Sequence, residues 1–407
     1  MRSDTDIAII GAGPSGAIAA SLLRQRNYKV TILEQAFFPR FSIGESLLPQ
    51  CMEYIAEAGM EDVIARAGFQ HKNGAAFAYN GLSASFDFRQ KFSSGPGTTY
   101  QVQRAEFDKL LALGAAEAGA EVRFGHSIRN FQPDSDGGPL LSVTGPDGED
   151  YSLHCRFVLD ASGFGRVLPR LLDLESPSGQ PPRTSVFTHV EDNIADINYD
   201  RSKILIAVHP RNRSVWYWLI PFSNGRCSFG VVAEPDFFQP GAELIDELKR
   251  AMSECPELAT LLSRAVYDTP VRTISGYSRS VKSLWGDNFA LLGNAGEFLD
   301  PVFSSGVTIA MKSASLAAPL VDRQLSGNSV DWENEYARPL KLGVETFRTY
   351  VNAWYDGSFQ DVIFSTRHQP EVREMISSIL AGYAWDTNNP FVREPGKRLA
   401  SLVALCQ

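Results

Sequence analysis

Cysteine is scarce in this chain. There are 5 in 407 residues, Cys51, Cys155, Cys227, Cys255 and Cys406, odd in number and widely scattered. They form neither a CxxC metal pair nor a disulfide framework. The 6 histidines show no HxxxH spacing, so no metal centre is expected. No run of eighteen apolar residues occurs, which argues against a membrane-spanning helix. The chain enters an apolar strand almost at once, so no signal peptide is expected. Positive charge is outnumbered: 38 Lys and Arg against 47 Asp and Glu leave a net charge of -9. That balance argues against nucleic acid and anionic membranes as partners. Internal repeats and low-complexity segments are absent. The default that remains is a cytoplasmic, metal-free globular protein, one large or two merged domains in extent.

What is present begins at the first strand. Ile7 to Ile10 is a short apolar run bounded by glycine, the pattern of a buried parallel strand. Gly11, Gly13 and Gly16 follow in GxGxxG spacing. In such a turn the first glycine permits the bend and the second admits a pyrophosphate to the backbone. The third seats a helix close on the strand. Ala17 to Arg26 predicts that helix, with its N-terminal N–H groups aimed at phosphate. Lys29 to Leu33 is the second strand, and Glu34 at its end can accept from ribose hydroxyls. Gly11, Gly13, Pro14, Ser15, Gly16 and Glu34 are therefore expected to bind a dinucleotide. The motif alone does not separate FAD from NAD(P). Its place at the head of a long chain favours FAD. The plainer alternative is a glycine-rich turn without a ligand. No second fingerprint of this kind is present.

The fold class expected is α/β. A Rossmann-type parallel sheet merges with an antiparallel sheet that forms a substrate layer, and a mostly helical C-terminal part follows. Residues 1–183 form the dinucleotide-binding part, with a hairpin over 74–90 interleaved. Residues 184–275 form the antiparallel layer, 276–330 return to the first part, and 331–407 are helical. Phe37 to Pro49 reads as an ordered aromatic loop, and Leu48 to Ala65 predicts one helix. Asn80-Gly81 predicts a hairpin turn. Lys91 to Thr99, rich in Ser and Gly, reads as a mobile loop. Arg104 to Gly119 is amphipathic, and 127–154 is a meander turning at Asp136-Gly137 and Asp147-Gly148. Phe157 to Asp160 is an apolar strand that returns to the first sheet, so Asp160 is expected at the cofactor site. The strands 203–208, 214–221 and 227–232 roof a pocket. Ala242 to Arg264 predicts one helix, and Val307 to Leu320 another.

Three further stretches follow the GxGxxG in order. They are Phe38-Pro-Arg-Phe-Ser-Ile-Gly-Glu-Ser46, Trp216-Tyr-Trp-Leu-Ile-Pro221 and Phe298-Leu-Asp-Pro301-Val-Phe-Ser-Ser-Gly306. The second of these matches a WxWxIP pattern and the third an FxxPxxSxG pattern. Together the four resemble the flavin-dependent halogenase family, within the para-hydroxybenzoate-hydroxylase-like flavoproteins, over residues 5 to about 350. The resemblance implies FAD, supplied reduced by a separate flavin reductase, and chloride or bromide as co-substrate. It implies that Arg40, Ile43, Gly44, Glu45, Ser46 and Arg104 lie along the cofactor, together with Asn294, Pro301 and Gly306. It implies halogenation of an electron-rich aromatic ring through flavin hydroperoxide and hypohalous acid.

Each motif also has a plain physical reading. A strand over WxWxIP puts Trp216, Trp218 and Ile220 on one face, either as a core ladder or as a seal between flavin and substrate. The N–H groups of Ser305 and Gly306, at a helix start, suit a halide. An ordinary N-cap by Ser304 or Ser305 is the bland alternative. A single lysine is usually a solvated charge. Lys72, however, stands where the family carries a lysine, whose ammonium can polarise hypohalous acid or whose amine can form a haloamine. His71 would face the opposite side and is read as structural.

Two positions depart from the family pattern. Asn294 replaces the usual aspartate after the strand near 289–292, which weakens the argument for FAD. Phe303, read as part of the substrate tunnel, stands where tryptophan halogenases hold a glutamate. A phenol or pyrrole, free or on a carrier protein, is therefore expected rather than tryptophan. The rivals are a flavin monooxygenase or geranylgeranyl-reductase-type enzyme, and a flavin-binding relative without turnover.

Overall fold

The computed structural model describes residues 4–135, 138–367 and 369–406. A six-stranded sheet runs in the order Trp285–Gly286, Phe289–Leu291, Phe157–Asp160, Ile7–Ile10, Val30–Glu34, Glu121–Phe124. All neighbours but the first pair are parallel. Every residue of Ile7–Ile10, Val30–Glu34 and Phe157–Asp160 is buried, as parallel strands covered on both faces require. One face carries the helix Pro14–Arg24, buried from Pro14 to Leu23 and packed on Ser305–Leu325 and Arg104–Glu117. The three-stranded meander Ser127–Ser135, Gly138–Thr144, Asp150–His154 packs Phe131, Leu141 and Val143 against Ala8, Ile10 and Leu33 of the central strands.

The second layer is a seven-stranded sheet. Its order is Arg272–Ser275, Thr184–Glu191, Arg226–Ala233, Trp216–Pro221, Lys203–Val208, Gly74–Tyr79, Leu82–Asp87. Only Lys203–Val208 and Gly74–Tyr79 pair in parallel. Asn80 and Gly81 make the turn between the last two strands, both with positive φ, +48° and +77°. Trp216–Pro221 is buried throughout, yet its period of two divides it between two cores. Trp216, Trp218 and Ile220 join the core shared with the parallel sheet. Tyr217 and Leu219 join a second core beneath the helices Leu244–Ser253 and Pro256–Leu261. The Tyr217 hydroxyl donates to Ala251 O at 2.8 Å. Gly230 faces Trp218 across the ladder, and a Cβ there would lie 2.4 Å from the indole.

Local expectations change in four places. The helix expected over 48–65 is two, Cys51–Glu57 and Glu61–Arg66, divided at Gly59 with φ +74°. The helix expected over 242–264 also divides, because Pro256 opens the second helix and cannot continue the first. The helix expected over 307–320 is longer, Ser305–Leu325. Residues 91–99, expected as a free loop, are fastened to the C-terminal helices. Phe92 N donates to Glu374 O at 3.1 Å, Ser93 N to Ser378 Oγ at 2.9 Å, and the Tyr383 hydroxyl to Pro96 O at 2.8 Å. The Asp136-Gly137 turn lies outside the described residues. Among the described residues no helix is long and apolar enough to cross a membrane. No group of His, Cys, Asp or Glu among them could hold a metal ion.

Candidate active site

The two sheets enclose a cavity of about 470 Å³. Segments far apart in the chain meet on its wall. Gly11, Gly13, Pro14 and Ser15 come from the first turn, Glu34 from the second strand, and Arg40 and Ile43 to Ser46 from the aromatic loop. Arg104, Asn294, Pro301 and Gly306 complete one side, and Trp216, Trp218 and Ile220 line the other. Gly16 sits behind the wall. A Cβ there would stand 2.0 Å from Gly11 O, so only glycine lets the helix close on the turn. Gly11 itself takes φ +98°.

The polar groups are held in place. The Glu34 carboxylate accepts from Ala12 N and Ala36 N, each at 2.9 Å, with Arg40 Nε at 3.7 Å. Asp108, fully buried, bridges the two arginines: Arg104 Nε lies at 2.7 Å and Arg40 NH1 at 3.2 Å. Arg104 also donates to Ile43 O, and Val102 N to Glu45 O at 2.7 Å, which fixes the loop along the cavity. Glu45 Oε1 lies 2.7 Å from His189 Nε2, a tie between this loop and the antiparallel sheet. Asn294 Oδ1 is buried at the wall with no partner among the described residues. A buried acceptor left open in this way needs a ligand donor, and a ribityl hydroxyl supplies one. The glycine cradle, the two guanidinium groups and this open acceptor fit FAD. The replacement of aspartate by Asn294 is compatible with that fit.

Besides Gly16, four expected site residues lie off the cavity wall. Asp160 is fully buried and spent on backbone, accepting from Ser162 N at 2.9 Å and Leu168 N at 2.7 Å. Burial raises its pKa against those hydrogen bonds. It shapes the turn beside the cavity and does not reach into it. Phe303 packs edge-on against Trp354 and Phe359, ring centroids 5.9 and 5.6 Å away. Ser305 is buried and opens the long helix. Ser304 before it is left-handed, φ +56°, and no side chain caps the helix.

Lys72 is the fourth. It lies on Gln70–Lys72, with His71 exposed on the other face and Lys72 itself only 1% exposed. Its Nζ donates to Ser46 Oγ and to Leu47 O, both at 2.7 Å, and lies 5.5 Å from the Phe88 ring. None of the described ion pairs includes it. Burial lowers its pKa to about 7. Ser46 lines the cavity, so the amine is one hydroxyl removed from the cofactor space.

Sequence reasoning missed Asp300 and Tyr355. Burial raises the Asp300 carboxyl to about 6, opposed by Val302 N, the Tyr355 hydroxyl and the Arg183 charge. Asp300 sits inside the FxxPxxSxG stretch, which was a usable signal. Tyr355 carries none, because only the tertiary fold brings the C-terminal helix to this wall.

Residues 4–318 match the family model for an FAD binding domain. The chain is 30% identical over 340 residues to the tryptophan 2-halogenase of Chondromyces crocatus, which covers 80% of this chain and 63% of that protein. It therefore spans less than two thirds of that relative's length. It is 30% identical over 375 residues to the flavin-dependent halogenase gsfI of Penicillium aethiopicum, covering 85% of this chain and 70% of that one. The crystal structure of a flavoprotein/dehydrogenase from Cytophaga hutchinsonii superposes with a TM-score of 0.95 at 41% identity, covering 99% and 98% of the two chains. The cavity fits FAD, the FAD-binding match covers most of the chain, and the likeness to the gsfI halogenase covers 85% of it: the chain belongs to the flavin-dependent halogenase family of FAD-binding proteins.

Proposed function

We propose that this protein is a reduced-FAD-dependent halogenase acting on an electron-rich aromatic ring, a phenol or pyrrole, free or held on a carrier protein. The observation that carries the reading is Lys72, a buried lysine with no carboxylate partner among the described residues, one hydroxyl from the cofactor cavity. A buried amine of this kind is costly to fold around, and perturbed groups of this kind cluster at reaction sites. Reduced FAD, supplied by a separate reductase, gives the electrons with which oxygen oxidises chloride or bromide to hypohalous acid. The uncapped N–H groups at Ser305 and Gly306 suit the halide. Trp216, Trp218 and Ile220 form the wall that keeps the ring of the substrate off the cofactor.

The chemistry at Lys72 follows from its hydrogen bonds. With a pKa lowered to about 7, much of it is neutral amine near neutral pH. A neutral amine has two hydrogens and one lone pair. Ser46 Oγ and Leu47 O take the two hydrogens, which leaves the lone pair for the halogen. The amine and hypohalous acid give a haloamine and water. The aromatic carbon then takes the halogen, and the proton it loses restores the amine. Phe303 packs edge-on against Trp354, so this position holds an uncharged ring where tryptophan halogenases hold a glutamate, which supports a neutral aromatic substrate.

The test supplies purified protein with FAD, a flavin reductase, NADH and halide. Phenols, pyrroles, a carrier-bound pyrrole and tryptophan are the substrates, read by mass spectrometry. Halogenated phenol or pyrrole is the expected product. Halogenation of tryptophan alone, or oxygenated products without halogen, would contradict it. One observation favours a second reading, a flavin oxidoreductase that does not halogenate: neither Lys72 nor Phe303 lines the cavity. That reading predicts turnover indifferent to halide.

A further inference from the structure

One hydrogen-bond chain joins three parts of the fold at the cavity. Trp216 Nε1 donates to the Tyr355 hydroxyl at 2.9 Å. That hydroxyl donates to Asp300 Oδ2, also at 2.9 Å. The other carboxylate oxygen of Asp300 accepts from Val302 N at 3.0 Å. Trp216 and Asp300 are 1% and 4% exposed, so neither has solvent as an alternative partner. The ring of Tyr355 is itself held, with the Arg183 guanidinium 4.1 Å from its centroid and Arg183 paired to Glu234 at 2.8 Å. The chain therefore starts at a cavity tryptophan on the antiparallel sheet. It passes through the last residue of the helix Arg338–Tyr355, and it ends in the turn Pro301–Phe303 that leads to Ser305 and Gly306.

We infer that Tyr355 is a positioning residue, which clamps the Trp216 indole to the Asp300 turn so that wall and halide turn hold one geometry. The inference rests on the halogenase reading for its consequence: the clamp keeps hypohalous acid on course to Lys72. It also places the C-terminal helical part, which carries no cofactor motif, in control of the flavin-side wall. Two hydrogen bonds meet at one phenol oxygen, so a single atom removes the link.

Tyr355→Phe deletes that oxygen and keeps the ring under Arg183. With saturating FAD, flavin oxidation should continue within about twofold of wild type. Halogenated product per flavin oxidised should fall by about fivefold or more, the scale of orphaning one buried donor. In a Trp216→Phe background, which has no indole N–H, the same substitution should cost less than it does in wild type, because only the hydrogen bond to Asp300 is left to lose. A second readout needs no turnover. The emission of Trp216, taken as wild type minus Trp216→Phe, should shift to the red in Tyr355→Phe as the indole loosens. An unchanged ratio and unchanged emission would overturn the clamp, as would a loss that adds fully to that of Trp216→Phe. If wild type makes no halogenated product, the halogenase reading fails and the emission alone decides whether the clamp exists.

Discussion

Lys72 works against the stability of the fold that holds it. Its folded pKa, lowered by burial to about 7, lies below that of an unfolded lysine, about 10.4. Between those values the unfolded chain binds the extra proton, so this group adds stability as pH rises from about 7 to 10. Below pH 7 both states are protonated and the penalty is complete. Lys72→Met should therefore raise the unfolding free energy at pH 7 by ~2 kcal/mol or more. The gain should shrink toward pH 10, as followed by urea titrations across that range. A gain independent of pH would mean that the amine is not desolvated. The chemistry proposed at Lys72 should share that midpoint, and the sign of its pH dependence tells the two forms of the lysine apart. If the free amine takes the halogen, product per flavin oxidised rises with pH through about 7. If the ammonium polarises hypohalous acid instead, the ratio falls through the same range. A pH profile of that ratio, from 5.5 to 9, separates them.

At the scale of elements, Trp216–Pro221 shows how one strand serves two cores, and Gly230 shows what that needs. The indole of Trp218 occupies the place a side chain at 230 would take, with Phe187 Cβ only 2.7 Å from it. Gly230→Ala should lower stability by about 1–3 kcal/mol, the usual effect of overpacking, and should displace Trp218 from the cavity wall. A urea unfolding curve and the near-UV signal of bound FAD check both. Elements of this kind were legible in the sequence because their causes are local. The GxGxxG turn is glycine sterics, Asn80-Gly81 is a left-handed turn, and WxWxIP is a period of two. The divided helices were partly legible too, since Gly59 and Pro256 are visible breakers that the apolar periodicity masked. The fastening of 91–99 was not legible, nor the link from Trp216 to Tyr355. Both depend on contacts with the C-terminal helices, which no spacing rule foretells. Asp160 misled for a related reason. An acid at a strand end reads as a ligand group, but two backbone amides at Ser162 and Leu168 had first claim on it.

Across the whole molecule, one cavity joins the cofactor turn, the aromatic loop, the tryptophan wall and the start of the long helix. The sequence carries one dinucleotide fingerprint, so NADH alone should not bleach bound FAD. A separate reductase should be needed, and stopped-flow absorbance with and without it checks this; fast bleaching by NADH alone would favour a monooxygenase. The central claim is that Lys72 directs the halogen and leaves the flavin chemistry alone. Its most direct test is Lys72→Ala, with flavin oxidation and halogenated product followed in the same reaction. Flavin oxidation should stay near the wild-type rate, because the glycine turn, Glu34 and the Ser305–Gly306 turn are untouched. Product should fall by roughly two orders of magnitude or more, the usual scale for an essential catalytic side chain. Lys72→Arg should fare little better, since a guanidinium stays protonated and offers no lone pair. Normal product from Lys72→Ala, or a parallel fall in flavin oxidation and product, would contradict the account.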